Sequence, residues 1–124
     1  MNILIIEPNR ILAKNYVTFF KKTFKNVYLA CDADQAVAMA DKLSIDIVLS
    51  EIFYIKHNVL EFLYEFRSYV DWQDIPFVIY SVLPKNQFKE NQHFLMENMN
   101  VSKILYKEEV SLKKLETTLV SLLK

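Results

Sequence analysis

The chain has 124 residues, of which 52% are hydrophobic and 24% are charged. This length and composition are typical of one folded domain and exclude disordered, collagen-like and multi-domain chains. Fifteen basic and fifteen acidic side chains give a formal net charge of zero, so bulk charge favours neither nucleic acid nor a membrane as a partner. The chain has no glycine, where an average composition would give about nine. This absence excludes the glycine-built phosphate loops of nucleotide-binding proteins.

The lone cysteine, Cys31, cannot form a disulfide within the chain, and its place after an apolar run predicts a small buried side chain. The first four residues lack the basic region and long apolar stretch of a secretory signal. No apolar run approaches the ~18 residues of a membrane span. We therefore expect a soluble, cytoplasmic protein.

Five short apolar runs, each bounded by polar or turn-forming residues, predict five β-strands. They cover residues 3–6, 27–30, 47–49, 77–80 and 104–106. Most of the runs do not alternate with polar residues, which is typical of strands buried on both faces, as in a parallel sheet. The intervals between them leave room for a helix after each strand.

Between these runs, apolar residues recur at helical spacing. One stripe consists of Leu12, Tyr16, Phe19, Phe20 and Phe24, and another of Leu112, Leu115, Leu119 and Leu122. Residues 33–43, 59–69 and 87–96 are also compatible with helices. Pro8 or Asn9 opens the first helix, Asn58 is a candidate cap of the third, and Ser111 caps the last. Alternating strands and helices predict a three-layer α/β sandwich with right-handed crossovers.

Polar side chains follow four of the predicted strands. These residues are Glu7, Glu51, Ser81 and Lys107. In an open parallel sheet, ligands bind beyond the carboxyl ends of the strands, where the strand order reverses. We therefore expect two carboxylates, one hydroxyl and one ammonium group to meet in a single crevice.

This order of motifs resembles the receiver domains of two-component response regulators, such as the chemotaxis regulators. Residues 45–52, 75–81 and 104–107 look like that family's third, fourth and fifth strand motifs. The resemblance covers the whole chain and implies one domain, 1–124, with a flavodoxin-like fold and a five-stranded parallel sheet of order 2-1-3-4-5. It places Glu51 at the phosphoryl-accepting aspartate, Ser81 at the hydroxyl residue and Lys107 at the lysine of the motif. Glu7 matches one acid of the family's acidic pair.

Two departures from the family pattern affect the phosphorylation chemistry. Pro8 stands where the main magnesium-ligating carboxylate is expected, and a pyrrolidine ring cannot coordinate a metal. Glu51 is one methylene longer than aspartate, and positioning errors of ~1 Å can cost about a hundredfold in rate. The longer side chain also extends negative charge toward the place of a phosphoryl group and could pair with Lys107.

Other departures affect the output switch and the loops. Ile104 stands where many receivers carry a tyrosine or phenylalanine whose rotation reports phosphorylation. Glu108 replaces the usual proline, and residues 53–58 lack the family's proline and glycine. The resemblance therefore implies a degenerate pseudo-receiver that signals in a two-component system or phosphorelay through protein contacts, without aspartate phosphorylation.

We expect this domain to be no enzyme and to need no metal or cofactor. Its partner would be a signalling protein or a histidine kinase system, and a homodimer is compatible with the sequence. Tyr54, Tyr69 and Trp72 fall in or beside loops and could mark a partner surface. Three alternatives stay open: a phosphate-accepting receiver with a non-standard acceptor, a small enzyme using Glu7 and Glu51, and two solvated carboxylates without a joint role.

Overall fold

A computed structural model describes residues 1–52, 59–83 and 89–124. The strands are β1 (Asn2–Ile6), β2 (Asn26–Ala30), β3 (Ile47–Ser50), β4 (Phe77–Ser81) and β5 (Lys103–Tyr106). The α-helices are α1 (Arg10–Phe20), α2 (Ala33–Lys42), α3 (Val59–Ser68), α4 (Lys89–Glu97) and α5 (Leu112–Leu122), with a short 3₁₀ helix at Val70–Trp72. All five predicted strands are confirmed. Residues 87 and 88, at the start of the predicted fourth helix, lie outside the described residues.

The strands form one parallel sheet of order β2-β1-β3-β4-β5, as the resemblance implies. Strand β1 lies between β2 and β3, so that Ile5 pairs with Leu29 on one side and with Leu49 on the other. Because the chain turns back across β1 to reach β3, the strand order reverses there. The carboxyl ends of β1 and β3 therefore lie at the switch point where α/β sheets of this kind bind ligands.

Two hydrophobic clusters cover the two faces of the sheet. Strand β1 contributes to both, because Leu4 and Ile6 point to one face while Ile3 and Ile5 point to the other. Helices α2, α3 and α4 pack on the first face, and α1 and α5 pack on the second. This arrangement confirms the three-layer sandwich and explains why the strand sequences are apolar throughout.

Two predicted helix caps are confirmed. The Asn9 side chain accepts hydrogen bonds from the backbone N–H groups of Ile11 and Leu12, at 3.0 and 3.1 Å. The Ser111 hydroxyl accepts one from the N–H of Lys114 at 3.2 Å. Such bonds satisfy donors that have no partner within the first helical turn. The candidate cap Asn58 lies outside the described residues.

Arg67 joins the end of α3 to the segments that precede β4 and β5. Its guanidinium donates hydrogen bonds to four backbone carbonyls, which belong to Trp72, Gln73, Met99 and Asn100. Burial lowers the pKa of this group. Asn100 has a φ of 55°, the left-handed conformation that asparagine tolerates better than most residues. Sequence reasoning did not single out either residue.

The prediction that Cys31 is buried is wrong. Its side chain is partly exposed, and its Sγ lies 3.2 Å from Oε1 of Gln35. The physical reason is position: Cys31 follows β2, which is an edge strand and has a neighbour on one side only. Across the three described segments, no helix is both long and apolar enough to cross a membrane.

Candidate functional site

The candidate site lies at the carboxyl ends of the central strands. Glu7, Glu51 and Lys107 each directly follow a strand, and Ser81 is the last residue of β4. The backbone N–H of Glu51 donates to the Ile6 carbonyl at 3.0 Å, and that of Lys107 donates to the Ser81 carbonyl at 2.8 Å. The sheet hydrogen bonding thus continues one residue beyond the strands and fixes where these side chains begin.

The Lys107 ammonium lies between two carboxylates. Its Nζ is 2.5 Å from Oε1 of Glu7 and 2.9 Å from Oε2 of Glu51. The side chains are 11%, 4% and 6% exposed for Lys107, Glu7 and Glu51. The predicted pairing of Glu51 with Lys107 is confirmed, and the alternative of two solvated carboxylates is wrong.

Backbone donors complete the surroundings of both carboxylates. Glu51 Oε1 accepts a hydrogen bond from the Ile52 N–H at 2.7 Å, and Oε2 accepts one from the Val82 N–H at 3.3 Å. Glu7 Oε2 accepts one from the Asn9 N–H at 3.2 Å. The oxygens of Glu51 therefore face one ammonium and two amide donors, a set of partners that suits an anion.

Two tyrosine rings shield the ammonium from solvent. Lys107 Nζ lies 5.6 Å from the ring centroid of Tyr16 and 5.8 Å from that of Tyr80. Both distances allow cation–π attraction. The Tyr80 hydroxyl donates to the Val110 carbonyl, which holds that ring in place. The sequence placed Tyr16 only in the apolar stripe of the first helix. The backbone N–H groups of Ile52 and Val82 could not be predicted as site donors, because no residue type marks them.

Burial and charge act on Lys107 in opposite directions. Burial is the largest single influence and by itself lowers the pKa of the ammonium group. The hydrogen bonds and charges of Glu7 and Glu51 together outweigh burial, so the pKa is raised above 10.5. Burial also raises the pKa of Tyr16 to about 12 and that of Tyr80 above 10.0. The site holds Lys107 charged and both tyrosines neutral at physiological pH.

The other residues that the sequence singled out are placed as follows. Ser81 is buried, and its hydroxyl accepts a hydrogen bond from the Leu83 N–H at 3.0 Å. Ile104 is buried in the cluster under α2, α3 and α4. Pro8 is half-buried beside Glu7, and the exposed Glu108 accepts a hydrogen bond from the Tyr106 hydroxyl at 2.8 Å. The loop 53–58, with Tyr54, lies outside the described residues.

The side chains at this site do not fit a magnesium ion. Magnesium requires several oxygen ligands in octahedral geometry, and Pro8 supplies none. In addition, the Lys107 ammonium already contacts both carboxylates and balances part of their charge. Over the described part of the chain, no group of three or more His, Cys, Asp or Glu side chains could hold a metal ion. The positive charge at this site is therefore part of the chain itself.

No protein-family model matches the sequence, and neither does any curated protein. The fold, in contrast, is similar to many solved structures. A chemotaxis response regulator of Vibrio cholerae superposes with a TM-score of 0.82 at 16% identity, covering 98% of this chain and 97% of its own. A CheY-like receiver domain from Methylobacillus flagellatus gives 0.78 at 17% identity, covering 98% of both chains.

A third structure is the receiver domain of a sensor histidine kinase from Pseudomonas aeruginosa, which has a magnesium ion coordinated in its active-site cleft. It gives a TM-score of 0.79 at 18% identity and covers 98% of this chain and 96% of its own. Identities this low establish the fold alone. The chain has the CheY-like, flavodoxin-type fold of response-regulator receiver domains.

Proposed function

We propose that this chain is a pseudo-receiver, a signalling module of two-component type that acts through protein contacts without phosphorylation of an acidic side chain. The observation that carries the proposal is the position of Lys107, whose ammonium is bound by Glu7 and Glu51 together. The pocket contains its own cation and its own anion. It therefore resembles an occupied site in charge, although nothing has been transferred to it.

Phosphoryl transfer to Glu51 would require its carboxylate to act as a nucleophile. Both of its oxygens accept backbone hydrogen bonds, and one of them also faces Lys107, so these donors stabilise the anion and make it a weaker nucleophile. Such transfers also depend on a metal ion that neutralises the charge on the moving group. The magnesium-bearing kinase receiver from Pseudomonas aeruginosa has that ion, whereas Pro8 offers no side-chain ligand for one here.

The same contacts argue against an enzyme that uses Glu7 and Glu51 as an acid–base pair. Such a pair needs one proton donor and one acceptor within reach of a substrate. Here both carboxylates are bound to one ammonium and are almost fully buried. We propose instead that they fix the conformation of the crevice, and that a partner protein of the signalling pathway reads the resulting surface. The partner class follows from the neighbours, two of which belong to histidine kinases.

The test exposes the purified chain to acetyl phosphate with magnesium, and separately to beryllium fluoride with magnesium. We expect intact-mass spectrometry to detect no phosphoryl adduct and the amide spectrum around Glu7, Glu51 and Lys107 to stay unchanged. An adduct that disappears in Glu51→Gln would instead establish Glu51 as an acceptor. An adduct that persists in Glu51→Gln would establish a different acceptor, and either result would overturn the proposal.

A further inference from the structure

Charge is unevenly distributed between the two helical layers, although the whole chain is neutral. Residues 8–25, which contain α1 and its flanks, carry five basic side chains and no acidic one. All five are exposed, and they are Arg10, Lys14, Lys21, Lys22 and Lys25. Arg10, Lys14 and Lys21 recur at helical spacing and form a stripe about 16 Å long at 1.5 Å per residue. We call these three residues, together with Ile11, the α1 stripe.

The opposite layer carries the opposite charge. Glu65 on α3, Asp71 on the 3₁₀ helix and Asp74 just after it are exposed. Arg67 is the single basic residue between positions 59 and 76, and its guanidinium is turned onto backbone carbonyls. Two apolar side chains lie beside these acids: Tyr69 is 46% exposed and Val70 is 80% exposed. We call Glu65, Tyr69, Val70 and Asp71 the α3 end patch.

The stripe and the patch match each other in chemistry. Each has charges of one sign next to an exposed apolar residue, because Ile11 is 74% exposed within the stripe. Tyrosine is among the residues enriched at contact surfaces, and the exposed Val70 and Ile11 add apolar area beside the charges. Tyr69 is one of the residues whose sequence position suggested a partner surface, and its ring is held against Trp72 at 4.4 Å between centroids. This contact restricts the orientation of the Tyr69 ring.

We propose that the α3 end patch binds the α1 stripe of a second copy of this chain. Because the stripe and the patch lie in different layers of one molecule, the contact is head-to-tail, and each copy offers one surface of each kind. A second copy is favoured over a nucleic acid or an anionic membrane because the acidic layer cancels the long-range attraction of the whole chain to a polyanion. Another copy carries both a basic stripe and an acidic patch, so each of its surfaces is attracted by the oppositely charged surface of its neighbour.

This association does not rest on the proposed function, since neither surface includes Glu7, Glu51 or Lys107; the stripe borders the crevice, because Arg10 and Lys14 line a cavity with Glu7. Sedimentation velocity of the full chain over a range of concentrations tests it. The screening length is about 30 Å at 10 mM salt and falls to about 3 Å at 1 M. We expect the weight-average sedimentation coefficient to rise with protein concentration at low salt and to remain that of the monomer at high salt.

Charge-reversal variants test the two surfaces. Lys14→Glu with Lys21→Glu, or Glu65→Lys with Asp71→Lys, should each weaken association at least about tenfold, because like charges then face each other. Combining all four changes in one chain restores a net charge of zero and opposite signs, so association should return. As a control for net charge, Lys103→Glu with Lys124→Glu alters exposed lysines outside both surfaces and should leave association intact.

Circular dichroism of each variant checks that it is folded. A wild-type chain that stays monomeric at low salt would overturn the proposal. So would association that survives both double reversals, or a fourfold variant that does not recover it. A fourfold variant that recovers association, together with a lysine control that also associates, would support the pairing directly, because net charge alone then does not explain the result.

Discussion

The Glu51 carboxylate accepts hydrogen bonds from two backbone amides and lies 2.9 Å from the Lys107 ammonium, while its side chain is 6% exposed. All of these partners are donors. An aspartate would be about one bond shorter, so we infer that the extra methylene of Glu51 carries the carboxylate further toward the place of a phosphoryl group. The charge at this position is thus part of the folded state and is set by one residue.

Replacing Glu51 by glutamine removes the charge and gives the side chain an NH₂ group. In glutamine, an NH₂ donor replaces one of the two carboxylate oxygens that accept hydrogen bonds. This donor would face another donor, either a backbone N–H or the Lys107 ammonium. We expect Glu51→Gln to lower the free energy of unfolding by about 1 to 3 kcal/mol, beyond the ~0 to 1 kcal/mol of an exposed pair. Urea denaturation at neutral pH measures this loss.

Glu109→Gln is the matched control, because Glu109 is an exposed acid two residues beyond Lys107. Its effect should stay within about 0.5 kcal/mol, as for most surface substitutions. Equal losses in the two variants would show that Glu51 is energetically no different from a surface acid. The interpretation of the crevice as a bound ion cluster would then be wrong.

The β1–α1 connection consists of three residues, each with a separate role. Glu7 binds Lys107, Pro8 has no backbone N–H and no metal-binding side-chain atom, and Asn9 caps α1. The Asn9 N–H also donates to Glu7, so the helix cap and the carboxylate are held by the same turn. Of the three, Pro8 is the residue whose replacement would add a metal ligand without removing one of these contacts.

We expect the double variant Pro8→Asp with Glu51→Asp to bind magnesium, and either single change to bind none. The aspartate introduced in place of Pro8 supplies the missing carboxylate, and the shorter side chain in place of Glu51 withdraws its oxygens from the place of the ion. Magnesium needs both changes, because it requires near-octahedral oxygen ligands at 2.0–2.1 Å. Titration of magnesium chloride into each variant, followed by amide chemical shifts, measures binding, with calcium chloride as a second probe.

The wild-type chain is the reference in this titration and should show no saturable shift around Glu7, Glu51 and Lys107. Binding by Glu51→Asp alone would mean that Pro8 is not the decisive change. The double variant is still expected to lack the family's aromatic switch, since Ile104 is buried in the hydrophobic core and has no ring to turn. Absence of binding in the double variant would refute the assignment of the site geometry.

The sequence predicts those structural features that a local pattern determines. It does not predict those that depend on contacts between distant residues. The strands were predictable because burial on both faces leaves uninterrupted apolar runs such as residues 77–80. Asn9 and Ser111 were predictable because a cap acts within its own turn. Cys31 was not, since its exposure depends on β2 being an edge strand, which only the strand order determines.

The candidate site was predictable to a similar extent. The convergence of Glu7, Glu51 and Lys107 follows from parallel strands whose ends share one edge of the sheet. The amide donors of Ile52 and Val82 were not predictable, because backbone groups carry no residue type. Nor was the separation of charge between the layers, which emerges only when each helix is assigned to a face of the sheet.

The folded chain is expected to lose stability at alkaline pH, because Lys107 and Tyr16 then release their protons. Contacts with Glu7 and Glu51 outweigh burial and raise the pKa of Lys107 above 10.5, and burial raises the pKa of Tyr16 from 10.0 to about 12. Each group keeps its proton in the folded protein at a pH where the unfolded chain has lost it. Their contributions to stability are therefore complete below about pH 10 and decline as the pH rises through the folded values.

We expect the free energy of unfolding to fall steeply above about pH 10, by up to about 1.4 kcal/mol per pH unit for each such group. Tyr16→Phe removes one of these groups and should make the alkaline decline shallower. Urea denaturation at several alkaline pH values measures the slope. Tyr64→Phe is the matched control, because Tyr64 is 55% exposed on α3, in the layer opposite Tyr16, and its loss should leave the slope unchanged. Equal slopes for Tyr16→Phe and the wild type would show that proton release at this site does not control alkaline stability.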